Sequence, residues 1–525
     1  MFKHIKTDFP ASIVVFFVAL PLCLGIALAS DAPPLSGIIA GIIGGIIVGF
    51  LSGSKIGVSG PAAGLAAIVA TAIATLGNNF EAFLVAVVLA GAIQILFGVL
   101  RMGIIGYFFP NSVIVGMLSG IGIIIILKQI PHLFGYDQEP MGADAFNEPS
   151  GENTFSAIAH ITDNITLGAV IIGFIGLAII LFWDNVLGPK NKFFKLVQGP
   201  IIAVLVGTIL KLLFDGSSLE ITSIHLVQIP VATSLSELQG FLTFPDFSYI
   251  TNQDVWIIAF TLALVASLET LLCVEATDKL DPEKNITPTN RELFAQGAGN
   301  MISGLIGGLP ITQVIVRSSA NIQSSAKTKM STIIHGMLLL IAFLALPSIM
   351  NHIPNAVLAS VLIVVGYKLA KPVLFKKMWE RGWTQFLPFI ATILVIVFTD
   401  LLKGIFVGLT IGIIVVLVKS FQNSLFLHKE KQGDKEHIKM ALAEEVTFLN
   451  KATIQRELNE IPENSHLELD IRKTRYLDFD VIEILEDFVI QARNKNIHVH
   501  LKSERGNVDN PTSYIEFFKL KKKSD

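Results

Sequence analysis

Over the first 425 positions the chain alternates between long apolar runs and short polar turns. About 20 apolar residues in a helix cross a bilayer core. Runs of that kind lie near 10–29, 35–51, 58–76, 81–100, 106–128, 165–184, 198–214, 254–277, 291–308, 310–324, 329–349, 353–369, 384–401 and 403–424, which predicts fourteen segments. The third, ninth and tenth are short or broken by glycine and proline. The run 10–29 follows the basic stretch Met1 to Lys6 and is too long for a signal-peptide core, so it predicts a retained first span.

From 426 to 525 the pattern becomes that of a small cytoplasmic α/β domain. Val446 to Leu449, His466 to Ile471 and Ile497 to Leu501 read as strands. Phe479 to Arg493 reads as a helix with Val481, Ile484, Leu485 and Phe488 on one face. Strand, helix and strand in that order predict a sheet covered by helices.

Composition narrows the class. Hydrophobic residues make up 52% before any of the 42 glycines is counted, and charged residues only 15%, whereas soluble domains carry about 25% charged residues. This excludes a soluble enzyme and a disordered chain. The net charge of −3 gives no sign of a nucleic-acid partner. The two cysteines, Cys23 and Cys273, lie in apolar runs, which excludes a disulfide framework and a four-ligand zinc site. No nucleophile–base pair or metal-ligand spacing points to an enzyme.

Loop charge orients the segments. With the N-terminus inside, the inner loops hold Lys55, Arg101, Lys190, Lys279, Arg291, Lys327 and a cluster from Lys368 to Arg381. The long loops 132–164 and 215–253 contain no Lys or Arg. Basic residues accumulate on the cytoplasmic side, so the pattern predicts a multi-pass protein of the cytoplasmic membrane with both termini inside. All four tryptophans fall near segment ends, where interfacial anchors sit.

Two segments carry the candidate chemistry. The third opens Gly57-Val58-Ser59-Gly60-Pro61-Ala62-Ala63-Gly64, and the tenth Gly307-Gly308-Leu309-Pro310-Ile311-Thr312-Gln313. Glycine permits a turn and proline suits a first helical turn, so each predicts a helix that begins partway across the bilayer. Such an end offers free N–H groups and a positive dipole, which hold an anion. Interrupted segments at matching positions of two halves point to a transporter's binding site, here third of seven and third of the next seven. Glu269 lies in mid-segment, where an acid is costly and functional by default. It reads as a binding group for sodium or a proton carrier, or else as the partner of Arg317. Arg317 adds positive field to the anion site or neutralises Glu269. Gln313 is the side-chain candidate for a substrate oxygen, while His335 and Asn321 read as structural. Glu275 and Asp278 read as interfacial.

Several stretches resemble the sulfate permease (SulP) family of anion transporters: Val18-Ala19-Leu20-Pro21, Leu89 to Gln94, Asn290 to Gly297, Gly307 to Pro310 followed by Arg317 to Asn321, and Thr399 to Ile405. The tail resembles that family's STAS domain. The resemblance implies a polytopic α-helical fold of fourteen segments, a seven-plus-seven inverted repeat divided into core and gate domains. Domain 1–425 would be the transporter and 426–525 the STAS-like domain, the whole a homodimer with an elevator-like core. It places the anion on the backbone around Ala62, Ala63, Ile315 and Val316. It puts the coupling position on Glu269, with Cys273 where sodium-coupled bicarbonate members carry a hydroxyl, which counts against sodium. No other cofactor is implied. Leu22 follows Pro21 where sulfate-type members have Gln, and Val314-Ile315-Val316 is bulky, so the resemblance favours bicarbonate over sulfate. The tail loop Tyr476 to Asp480 lacks the serine phosphorylated in stand-alone relatives, which implies a structural or dimerising tail. An uncoupled anion channel or an anion exchanger is the competing reading.

Overall fold

The computed structural model describes residues 4–138, 141, 146, 153–163, 165–190, 194, 198–229, 240, 242–422, 425–432 and 435–518. The chain divides into two compact units, Met1–Thr410 and Ile411–Asp525. This boundary falls inside the last long helix, Leu401 to Gln422, which the two units share, whereas the composition changes only after that helix ends, near 425.

The first unit is helical. Its helices are α1 (Ile5–Ala29), α2 (Pro34–Ile43, prolonged to Leu51), α3 (Ala63–Thr75), α4 (Phe80–Val99), α5 (Asn111–Leu133), α6 (Leu167–Phe182), α7 (Gly199–Phe214), α8 (Gln253–Leu280), α9 (Thr289–Leu305), α10 (Ile315–Gln323), α11 (Met330–Ala345), α12 (Asn355–Leu369), α13 (Trp383–Phe398) and α14 (Leu401–Gln422), with shorter pieces between them. Among the described residues, eight helices are long and apolar enough to cross a membrane, and α3, α7, α11 and α13 are shorter apolar ones. This is a polytopic membrane fold.

Small residues let the helices approach. A Cβ added at Gly91 of α4 would lie 2.6 Å from the carbonyl oxygen of Gly297 in α9, and one at Gly297 would lie 2.6 Å from that of Gly91. Lipid gives no hydrophobic drive for helices to associate, so close backbone packing of this kind holds them together.

The two interrupted segments meet. Strand β1 (Ser59–Pro61) pairs antiparallel with β2 (Ile311–Gln313) in the register Ser59↔Gln313, Gly60↔Thr312 and Pro61↔Ile311. Extended backbone at this depth needs internal hydrogen-bond partners, and the pairing supplies them. This corrects the expectation drawn from Pro61 and Pro310. Helices do follow both, but at Ala63 and Ile315 rather than at the prolines. Gly307 takes φ +87°, the left-handed turn that only glycine adopts cheaply, and leads the chain from α9 toward β2.

In the second unit, strands β3 (Leu425–Gln432), β4 (Lys435–Leu442), β5 (His466–Asp470), β6 (His498–Ser503) and β7 (Gly506–Asp509) form one sheet in that spatial order. The central pairs β4–β5 and β5–β6 are parallel and the flanking pairs antiparallel. Alternate residues Ile438, Met440, Leu467, Leu469, Val499 and Leu501 are buried in one core with α15 (Lys451–Asn459) and α16 (Phe479–Asn494). The strand expected over Val446 to Leu449 is cut to Glu445–Val446, because Thr447 donates its N–H to Asn450 Oδ1 at 2.8 Å and caps a 3-10 turn. The β3–β4 hairpin was not expected.

Candidate functional site

Helices α3 and α10 begin at the paired strands, and neither start is capped by a side chain. The N-cap residues are Ala62 and Val314, both in extended backbone and both without a polar group to accept a hydrogen bond. The first N–H groups of a helix have no partner within it. Apart from the Ile315 N–H, which reaches the Cys273 thiol, the donors and dipoles of both starts stay available.

A cavity of about 620 Å³ lies there. Ala63, Gly64, Ile315, Val316, Arg317, Glu269 and Cys273 line it, and Ala62 is buried just behind Ala63. Away from the helix starts the lining continues to Asp31, Gln129 and the stretch Thr399 to Lys403. The structure thus brings most of the sequence-derived residues to one place. Gln313 is the exception. It is fully buried and absent from the lining, and its Nε2 donates to Thr277 Oγ1 at 3.1 Å.

Arg317 is the strongest electrostatic feature. It is 1% exposed, and its Nη1 and Nη2 find no nitrogen or oxygen acceptor among the described residues, the Cys23 thiol being a neighbour it can hydrogen-bond. A thiol is a weak acceptor, and a buried, always-charged guanidinium so poorly matched is costly, so the arrangement suits an anionic or polar occupant. Gly60 makes room for it: a Cβ there would lie 2.2 Å from Nη1. The Glu269 carboxylate sits against the start of α3, since a Cβ at Gly64 would lie 2.9 Å from its Oε1. Cys273 follows Glu269 by four residues on α8, on the same face, and is also buried.

Side chains lock the two broken segments. Ser318 Oγ accepts from the Val58 N–H at 3.0 Å, and the Val314 N–H donates to the Val58 carbonyl at 2.9 Å. Asn321 Nδ2 donates to the Ile56 carbonyl at 2.9 Å, so Asn321 is structural as expected. Sequence reasoning passed over Gln296, Asn300 and Ser303 on α9, which grip the same crossing. Their signal was the spacing Glu292, Gln296, Asn300, Ser303, which puts four polar side chains on one face of a helix.

The model of the sulfate permease family matches residues 5–392. The chain belongs to the sulfate permease family. Among relatives, it is 27% identical over 429 residues to the putative sulfate transporter YvdB of Bacillus subtilis, covering 82% of this chain and 76% of that one. It is 25% identical over 550 aligned positions to the bicarbonate transporter BicA of Picosynechococcus, covering 99% and 92%. Among solved structures, the transmembrane domain of a cyanobacterial BicA matches with a TM-score of 0.55 and 26% identity, over 78% of this chain and 98% of that one. SLC26A9 matches with a TM-score of 0.66 over 95% of this chain and 85% of that one. At 15% identity it supports the sulfate permease fold alone.

Proposed function

We propose that this sulfate permease family member is a secondary active transporter of a small inorganic oxyanion, bicarbonate in preference to sulfate, coupled to sodium or protons. Arg317 carries this reading: a buried guanidinium with no nitrogen or oxygen acceptor for two of its nitrogens, beside two helix starts without a side-chain N-cap, is a place for an anion. The backbone at Ala62, Ala63, Ile315 and Val316 supplies donors and Arg317 the charge. Glu269, with Cys273 four residues on, is the coupling position. Relatives named for sulfate and bicarbonate transport support the substrate class.

The transporter spans 1–425 as fourteen segments in two inverted halves, within the cytoplasmic membrane and with both termini inside. The cavity then opens outward, since Asp31 and Thr399 to Lys403 lie on the outer side by the loop-charge pattern. The core domain, which takes α3 from one half and α8 and α10 from the other, moves as an elevator against the gate domain. The 426–525 tail is a STAS-like domain that supports a homodimer.

Uptake of labelled bicarbonate and sulfate into proteoliposomes, with sodium and proton gradients imposed in turn, tests this. Accumulation of bicarbonate above equilibrium under either gradient supports it. Accumulation of sulfate alone overturns the substrate, and gradient-independent flux of either anion makes the protein a channel.

A further inference from the structure

The stripe on α9 is spaced to hold both helix starts at once. Glu292 Oε2 accepts from Ser52 Oγ at 2.6 Å, and Glu292 Oε1 accepts from Gln296 Nε2 at 3.0 Å. That amide also donates to Ser59 Oγ at 2.7 Å, at the head of β1 and three residues before the N-cap of α3. One turn on, Asn300 holds both backbone polar groups of one residue of β2: its Oδ1 accepts from the Ile311 N–H, and its Nδ2 donates to the Ile311 carbonyl at 2.9 Å. Ile311 lies three residues before the N-cap of α10. The grip is itself oriented, because Asn300 Nδ2 also donates to Gln94 Oε1 at 2.6 Å and Gln94 Nε2 reaches Ser267 Oγ at 3.3 Å. Ser303 Oγ donates to the Leu309 carbonyl at 2.7 Å. All four α9 residues are 1% exposed or less.

Strand pairing alone fixes β1 against β2, but not where the pair lies against the rest of the core. A two-stranded ribbon of three residues each is weak by itself. The α9 side chains supply the missing reference. Residues four apart on a helix are separated by about 6 Å along its axis, so Gln296 and Asn300 set a fixed offset between their two grips.

We propose that Gln296 and Asn300 are positioning residues for the anion site, with α9 acting as a ruler that fixes where α3 and α10 begin. This rests on the reading of those helix starts as the anion site. The stripe lines no part of the cavity and acts only through the backbone it holds.

Two readouts on purified full-length Asn300→Ser test it. Serine keeps a hydroxyl but cannot span the N–H and carbonyl of Ile311 together. The first readout is hydrogen exchange of the hydrogen-bonded amides Gln313, Val314 and Ser318, which needs no anion bound there. Exchange should rise about tenfold, the scale of losing one or two buried hydrogen bonds, while amides in α5 and α12 keep wild-type rates. The second is stabilisation by added sodium bicarbonate, titrated against sodium chloride at constant ionic strength. Its half-saturating concentration should rise about tenfold as well. Faster exchange confined to the start of α10 supports the positioning role. Unchanged exchange there overturns it. If wild type shows no anion response, the anion-site reading fails and the exchange result still decides the ruler. If Asn300→Ser does not yield a monodisperse protein, Gln94→Leu serves instead. It leaves both Ile311 contacts available but unoriented, and the same exchange criterion applies.

Discussion

Gly60 and Arg317 are in contact through the absence of a side chain. The space a Cβ would take at Gly60 is occupied by the Arg317 guanidinium, with Nη1 2.2 Å from the built position. Gly60→Ala must therefore move the guanidinium without adding or removing charge. The strand register at Gly60↔Thr312 does not require glycine, so the fold should survive. A lost charge-assisted hydrogen bond costs about 1.5–3 kcal/mol, so anion affinity should fall tenfold or more. Anion-dependent thermal stabilisation of the purified variant measures this, and wild-type affinity would remove Arg317 from the site.

A substitution at Glu269 tests whether it is the coupling position. Glu269→Gln keeps the shape of the side chain and removes its charge and its titration. Gradient-driven accumulation should be abolished, while exchange of internal for external anion continues. Counterflow and net uptake in the same vesicles separate the two. Loss of both together would make Glu269 part of the anion site or of the fold instead.

A charged cluster holds the ends of three helices and the turn Ser223–His225. Asp137, just after α5, accepts from Nδ1 of His132 and of His225 at 2.6 Å each, and Asn355 Nδ2 at the start of α12 lies 3.4 Å from the same carboxylate. The Thr166 hydroxyl before α6 contacts His225 Nε2 at 3.2 Å. Burial works to raise the pKa of Asp137, and the two histidine hydrogen bonds overcome it, so its carboxyl lies below the usual value. A carboxylate with a depressed folded pKa stabilises fully above the unfolded value and loses that contribution as pH falls through the folded one. Asp137→Asn should therefore cost about 2–4 kcal/mol at neutral pH. The gap to wild type should persist down to pH ~4, the ordinary carboxylate range, and close only below it. Thermal unfolding at a series of pH values reads this directly. A gap that closes by pH 6 would contradict it.

Gly91 and Gly297 leave no room for larger residues at the α4–α9 crossing. Gly297→Leu should push the helices apart and cost about 1–3 kcal/mol or more, as overpacking does. The displaced α9 carries the grips on β1 and β2, so anion affinity should fall along with stability. Gly216, where an added Cβ meets nothing within 4 Å, makes the control. Its φ of +75° favours asparagine as the replacement. Gly216→Asn should leave both quantities within error, measured by melting temperature and anion titration side by side.

Much of this protein was determined by its sequence, because a membrane imposes simple rules. Twenty-residue apolar runs must be helices there, and the described helices fall within a few residues of the runs read from the chain. The interruptions at Gly57 to Gly64 and Gly307 to Gln313 marked the place of the cavity for the same reason, since irregular backbone at that depth survives only where protein covers it. Arg317 and Glu269 stood out as charges where charge is expensive.

Tertiary structure decided what periodicity cannot express. That Ser59 faces Gln313 is a pairing across some 250 positions, and it moved both helix starts beyond their prolines. That Gln313 turns to Thr277 and away from the cavity depends on which face of a three-residue strand points inward. The work of Asn300 was legible only as a polar residue on a polar stripe, because a side chain's partner is set by the helix it meets. In the tail, the β3–β4 hairpin had a sequence signal, the alternation Ile438, Met440 and Leu442, but one so short and so mixed with charge that only its backbone pairing decided it. Local physics fixed which segments enter the membrane and where they break; contact between distant segments fixed where the breaks point.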